Sequence, residues 1–345
     1  MLHDCSEIDD NVSLRVEDAA VLDVIDRTYT FARIIGQGLN GIVYLMGRGR
    51  EFIAMKVGPR DADVESEIRI SCALNALQKE TGIFPRTYGW LSCAEFPKFM
   101  ESSHLYPDRP LWGTLFFYIF YEYVPLKWND EGMWFSDVDC RTLYFIIIHG
   151  LAVVRRELGF FHRDIHGGNI LLQILAKGDQ IHLQNATNGY SFVLKNIRLV
   201  PKIIDYGLAV MKTDDNDKRG LSPSDIQALT KEFEKKLRTN GTEESYTNFR
   251  EFQKSNLYRR AENSLPNDYM ALEELLLDSY FDIPEIERAQ KPKKPKLLER
   301  CLICSSPAQK MWNNASGLKF CDEICAAKTE TISTFLPGKK NKNPN

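Results

Sequence analysis

His162-Arg163-Asp164-Ile165-His166-Gly167-Gly168-Asn169, followed 36 residues after Asn169 by Asp205-Tyr206-Gly207, places in order the groups that a phosphoryl-transfer site requires. In that chemistry an Asp on a tight loop accepts the proton of the attacking hydroxyl. An Asn five residues on holds one magnesium, and a second Asp before a Gly holds the other. Asp164, Asn169 and Asp205 fit those three roles. His162 is assigned to packing beneath the loop, because a lone histidine is more often a core residue than a group that moves a proton.

Upstream, Gly36-Gln37-Gly38-Leu39-Asn40-Gly41-Ile42-Val43 has the spacing Gly-x-Gly-x-x-Gly-x-Val. Glycines let a hairpin backbone approach phosphates, and a valine at that place covers an adenine. The pattern is weak alone, but Ile53-Ala54-Met55-Lys56 follows it, and packing alone gives a buried strand little reason to end in Lys. Lys56 is read as the partner of the alpha and beta phosphates, with Ile35, Val43 and Ala54 as walls of the nucleotide site. Glu67 is preferred to Glu65 as its carboxylate partner, because Glu67-Ile68-Arg69-Ile70 continues with apolar residues that seat a helix. Tyr121-Glu122-Tyr123-Val124 ends an apolar strand and reads as the connection between two lobes. There the Glu122 carbonyl and the Val124 N–H would bind adenine, and Tyr121 would limit the pocket behind it.

These motifs order the chain as an α+β, two-lobed unit. Thr28 to Val57 predicts strand, turn, strand, strand; Ala62 to Gln78 has helical spacing; Leu115 to Val124 is an aromatic strand; Asp139 to Leu158 is a long apolar helix stopped by Gly159. Short strands are expected at Leu171 to Leu175, Ile181 to Leu183 and Tyr190 to Leu194. From Leu221 to about Glu287 the pattern is helical, opened by Ser222-Pro223-Ser224-Asp225. The expected divisions are an acidic leader over 1–27, a catalytic unit over 28–289 with its lobes meeting near Val124, a basic linker over 290–300, a cysteine module over 301–328 and a polar tail over 329–345.

The composition, 43% hydrophobic and 26% charged in 345 residues, excludes a disordered chain. The first thirty residues lack a signal-peptide core, and the apolar runs around Leu115–Val124 and Leu143–Val154 are too short to span a bilayer. An intracellular protein, cytoplasmic or nuclear, with thiols rather than a disulfide framework is therefore expected. Charge is lopsided: residues 1–26 carry eight acids and one base, residues 290–345 eleven bases and four acids. Lys291-Pro292-Lys293-Lys294-Pro295-Lys296 reads as a solvated linker in preference to a nuclear address or a nucleic-acid contact, the alternatives its charge also allows.

Three departures narrow the catalytic unit. His166 stands where most Ser/Thr protein kinases have Lys, the connection from Asn169 to Asp205 is long, and no Ala-Pro-Glu occurs in the 20 residues from Asp205 to Asp225. In these the chain resembles haspin, an atypical Ser/Thr protein kinase with a similar loop, long connection, Asp-Tyr pair and shortened segment. Glu67-Ile68-Arg69-Ile70-Ser71, Ala152-Val153 and Ser224-Asp225-Ile226 extend the likeness over roughly residues 30–280. The resemblance implies a kinase fold, Mg-ATP, Asp164 as base and a Ser or Thr acceptor on a protein. Choline and antibiotic kinases have similar His-x-Asp-x-His-x-Gly-Asn loops, so a small-molecule phosphotransferase is the alternative.

Cys301-Leu302-Ile303-Cys304 and Cys321-Asp322-Glu323-Ile324-Cys325 form C-x2-C-x16-C-x3-C, the paired thiolates of a tetrahedral structural zinc. With Phe320 before the second pair, the module resembles treble-clef fingers of the MYM type, which implies a protein partner. A third reading makes this finger the main activity, on a kinase-fold scaffold. A compact catalytic unit joined to a small finger also suits a large DNA virus.

Overall fold

The computed structural model describes residues 27–289 apart from 39–40, 60–61, 94–115, 131–132, 177, 185–190, 212–224 and 264–268, together with 312–313 and 319–320. These residues fall into two units, the larger reaching Arg288 and the smaller containing, among the described residues, Ser191, Ala289, 312–313 and 319–320.

The larger unit begins with a five-stranded antiparallel sheet in the order β1-β2-β3-β5-β4, formed by β1 (Thr30–Gly38), β2 (Gly41–Arg48), β3 (Glu51–Pro59), β4 (Thr87–Cys93) and β5 (Phe116–Glu122). The aromatic run of β5 is apolar throughout because each of its faces meets a different core. Phe116, Tyr118 and Phe120 pack with Tyr44, Met46, Met55 and Leu91. Phe117 and Ile119, joined by Tyr121, pack with Val64, Ile68, Cys72 and Trp90. Three of those partners, Val64, Ile68 and Cys72, lie on helix α1 (Ala62–Ala76), so the alternation along one strand seats the helix that carries Glu67. A one-turn helix α2 (Gln78–Thr81) closes at Gly82.

A mainly helical lobe follows. Helix α3 (Asp137–Leu158) is buried almost all round, as its unbroken apolar stretch requires. It starts two residues before the expected Asp139, because Ser136 and Asp139 form a capping box worth about 1 kcal/mol. Its stop is at Gly159, at φ 60, whose N–H caps the Arg155 carbonyl. Helices α4 (Asp225–Asn240), α5 (Glu243–Phe252), α6 (Asn256–Glu262) and α7 (Tyr269–Leu275) complete the lobe. Tyr144 of α3 meets Phe233, Phe249, Phe252 and Phe281 edge-on or stacked, which locks α3 to α4 and α5.

Two small sheets shape the ends of the loops. Strands β6 (Leu126–Lys127), β7 (Ile170–Ile174) and β10 (Leu199–Ile203) lie in the order β10-β7-β6, while β8 (Ile181–Gln184), β9 (Ser191–Leu194) and β11 (Ile286–Ala289) lie in the order β11-β9-β8. Strand β11 corrects the expectation of helix as far as Glu287. Pro284 cannot continue a helix, and the chain after a turn at Ser279–Phe281 pairs with β9 instead. The helix start expected at Ser222-Pro223-Ser224 lies outside the described residues, and α4 begins at Asp225.

In the smaller unit β12 (Trp312–Asn313) pairs antiparallel with β13 (Lys319–Phe320). Cys301, Cys304, Cys321 and Cys325 lie outside the described residues. Elsewhere Cys93 and Cys140 are buried free thiols. No helix among the described residues is long and apolar enough to cross a membrane.

Candidate active site

The pairing of β7 with β10 assembles the site. Ile170 sits opposite Ile203, and the Ile204 N–H donates to the Asn169 carbonyl at 3.0 Å. Asn169, one residue before β7, and Asp205, two residues after β10, are thereby brought side by side despite the long connection. Above them, β3 carries Lys56 opposite Val43 of β2 and Ile119 of β5.

Lys56 Nζ donates to both carboxylate oxygens of Glu67, at 2.7 and 2.6 Å, and to Asp205 Oδ1 at 3.2 Å. Glu67 is 1% exposed, so its carboxylate would be costly to hold without partners. Burial and pairing oppose each other at both partners, and both pKa values end above their ordinary ranges. Burial pushes the Lys56 ammonium down, but Glu67 and Asp205 more than offset this and raise its pKa. Burial pushes the Glu67 carboxyl up, with Lys56 opposing. The two-pronged contact, with the Tyr121 hydroxyl as a further donor to Glu67 at 3.3 Å, decides for the ionised pair. Glu65, the less favoured candidate, does not occupy this position.

In the loop before β7, Asn169 Nδ2 donates to the backbone carbonyl of Asp164 at 3.0 Å and to its carboxylate at 3.1 Å. Asp164 itself is partly exposed, with the half-exposed His166 ring 3.5 Å away. His162 is fully buried: its Nδ1 accepts from the Asp164 N–H at 3.3 Å, so the proton sits on Nε2, facing the Ile204 carbonyl at 3.0 Å. Burial lowers its pKa and keeps it neutral. It therefore ties the loop of Asp164 to the strand end before Asp205. Arg163 and Asp205 both have φ 66, a left-handed conformation that non-glycine residues rarely adopt and that the surrounding bonds must hold.

Asp225 supplies much of that hold, a role beyond the helix start that the sequence predicts there. From the first turn of α4 its carboxylate accepts from the His162 N–H at 3.0 Å and the Arg163 N–H at 2.9 Å, and it faces the buried Arg155 at 3.5 Å. An Asp heading an amphipathic helix looks like any N-cap; only its partners, more than sixty residues upstream, distinguish it. Glu122 is likewise more than a backbone contact. Its side chain accepts from the Arg86 N–H at 3.1 Å and Gln173 Nε2 at 3.2 Å, with Lys202 at 3.8 Å, so it pins the connection to both lobes. No described residue takes the N–H of the buried Val124. Tyr206 is buried between Phe84 and Phe160, where its hydroxyl donates to the Ile203 carbonyl at 2.8 Å.

The three loop glycines are not equivalent. A Cβ on Gly41, at φ +132, would lie 2.2 Å from the Val57 carbonyl oxygen, whereas one on Gly38 meets nothing within 4 Å and one on Gly36 meets only Val43 at 3.6 Å. Gly41 is thus required by the sheet itself. Gly41→Ala is expected to cost about 2 kcal/mol or more in chemical denaturation, and Gly38→Ala almost nothing. Equal denaturation midpoints for the two variants would contradict this.

Two clefts on the helical lobe, about 320 Å³ beside Trp128 and Lys236 and about 530 Å³ among α4, α5 and α6, contain none of Lys56, Asp164 and Asp205. No cluster of three or more His, Cys, Asp or Glu side chains suited to a metal occurs among the described residues. For magnesium the relevant set is smaller: the Asp205 carboxylate and Asn169 Oδ1, the Asn169 Nδ2 being the atom bonded to Asp164. These are hard oxygen donors and fit a cation that keeps most of its ligands as water and phosphate.

No family model matches the chain, and no curated protein matches it in sequence. In three dimensions it is similar to a crystallised kinase domain of Plasmodium at 14% identity, over 74% of this chain and 96% of that one, with a TM-score of 0.43. A likeness that distant assigns no activity, which must come from the atoms of the cleft.

Proposed function

We propose that the protein is a Ser/Thr protein kinase, transferring the gamma-phosphoryl group of Mg-ATP to a protein hydroxyl. The observation that carries this reading is the Lys56 ammonium held between Glu67 and Asp205, with Asn169 joining the same site to Asp164. Isolated surface charges do not need a wholly buried carboxylate to hold a lysine in place. A lysine so fixed is suited to grip phosphate oxygens without reorganising. Asp205 and Asn169 would hold magnesium, which neutralises phosphate charge when bound. Asp164 would orient the acceptor hydroxyl and take its proton, and the Asn169 amide holds the Asp164 carboxylate in position. The Val124 N–H would receive adenine, and Gly36 and Gly38, whose missing side chains nothing in the protein demands, leave the backbone open to phosphates.

The short 205–225 interval and His166 support the haspin-like choice within this class. The acceptor is tested by incubating the purified chain and labelled ATP with a mixed protein substrate and, separately, with amino sugars and choline. Label in protein is expected; label only in a small molecule overturns the protein-kinase reading.

For the smaller unit we propose a structural zinc held by Cys301, Cys304, Cys321 and Cys325, with a protein as the finger's partner. The β12–β13 pairing falls between the two cysteine pairs, as a finger with a hairpin between its ligands needs. Binding and folding of so small a module are one event. Elemental analysis of freshly purified, reduced protein should find one zinc per chain; less than about half an equivalent contradicts the site, since structural zinc is held by roughly 10–16 kcal/mol.

A further inference from the structure

Glu67 is held by more than Lys56. Tyr121, on β5, crosses to α1 and places its hydroxyl 3.3 Å from Glu67 Oε1 and 3.0 Å from Ser71 Oγ. A carboxylate only accepts, so the phenol proton points to Glu67 and the Ser71 hydroxyl donates to the phenol oxygen. The result is a directed chain, Ser71 to Tyr121 to Glu67, ending at the Lys56 ammonium. Glu67 and Ser71 are one turn apart on α1, so a single phenol fixes both the rotation of the helix and its position along its axis. The ring itself cannot drift. It packs in the cluster of Val64, Ile68, Trp90, Phe117 and Ile119, and its backbone pairs with Ala54 of β3, two residues from Lys56. Hydrogen bonds in such a buried series reinforce one another.

We propose that Tyr121 is a positioning residue that holds α1 and Glu67 in the arrangement that presents Lys56 to nucleotide, so that the Lys56–Glu67 pair is set by the connection between the lobes before nucleotide arrives. This rests on the kinase reading above for its consequence, but not for the tether itself. A phenylalanine would fill the same volume and leave the core intact while removing the hydroxyl that joins β5 to Glu67 and Ser71; the Thr87 contacts from β4 to the Ser71 carbonyl and Asn75 would remain.

The test compares wild type, Tyr121→Phe, Ser71→Ala and the double variant by hydrogen exchange across residues 62–76 and by steady-state kinetics with ATP. Tyr121→Phe should exchange faster through α1 and lose about tenfold in kcat/KM for ATP, the scale of one hydrogen bond to a charged group. Ser71→Ala should lose less, and the double variant should be no worse than Tyr121→Phe, because the two hydroxyls act in series. Unchanged exchange in Tyr121→Phe overturns the tether whatever the kinetics show. Faster exchange with unchanged kcat/KM overturns the positioning role. A wild-type protein without transfer activity overturns the kinase reading instead, and exchange alone then decides the tether.

Discussion

Asp164→Asn is expected to slow phosphoryl transfer at least about a hundredfold while the protein stays folded and still binds ATP. The carboxylate is partly exposed and is held in place by the Asn169 amide, so the amide variant fits the same space and removes only the capacity to take a proton. Nucleotide affinity should change little, because Lys56, Asp205 and the glycine loop remain. A transfer rate within about threefold of wild type would remove Asp164 from the role of base.

Asp225→Ala is expected to produce the largest loss of stability of any single change near the site, about 3–5 kcal/mol in chemical denaturation. Three donors lose their acceptor at once: the His162 and Arg163 N–H groups and the Arg155 guanidinium, which is almost wholly buried. Arg163 holds a left-handed backbone, so the loop has reason to relax once its N–H is released. Activity should fall with stability, since the same loop carries Asp164. Replacing Arg155 by Leu in the Asp225→Ala background should recover part of the stability by removing the unpaired charge, but not activity, because the two backbone donors stay unsatisfied. A denaturation midpoint equal to wild type in Asp225→Ala would contradict the anchoring role.

How much of this was legible in the sequence follows from the range of each interaction. Local signals are sufficient where one element carries its own instructions: Gly159 stops α3, and the glycine pattern followed by a lysine-bearing strand marks β1 to β3, whereas the Ser136 cap that starts α3 is not singled out by the apolar pattern. The β5 run was readable as a strand, yet its division between two cores was not, since alternate residues are apolar on both faces. Glu67 was separable from Glu65 by the apolar residues that follow it. Asp225, Tyr121 and the Glu122 side chain were found in other roles or none, because their partners lie tens of residues away and nothing local distinguishes a cap, a core aromatic or a surface acid from a tether. At the C-terminal end the helical pattern runs past the last helix, because Pro284 ends helical continuation without disturbing the apolar spacing before it.

The central claim, a Lys56-centred cleft that moves phosphate from Mg-ATP to a protein hydroxyl, is most directly tested by gamma-labelled ATP transfer followed by phosphoamino-acid analysis, on wild type and Lys56→Met. Label should appear on serine or threonine with wild type, require magnesium, and be absent with a folded Lys56→Met protein. Equal labelling by Lys56→Met, or no labelled protein with a folded, ATP-binding wild type, would contradict it.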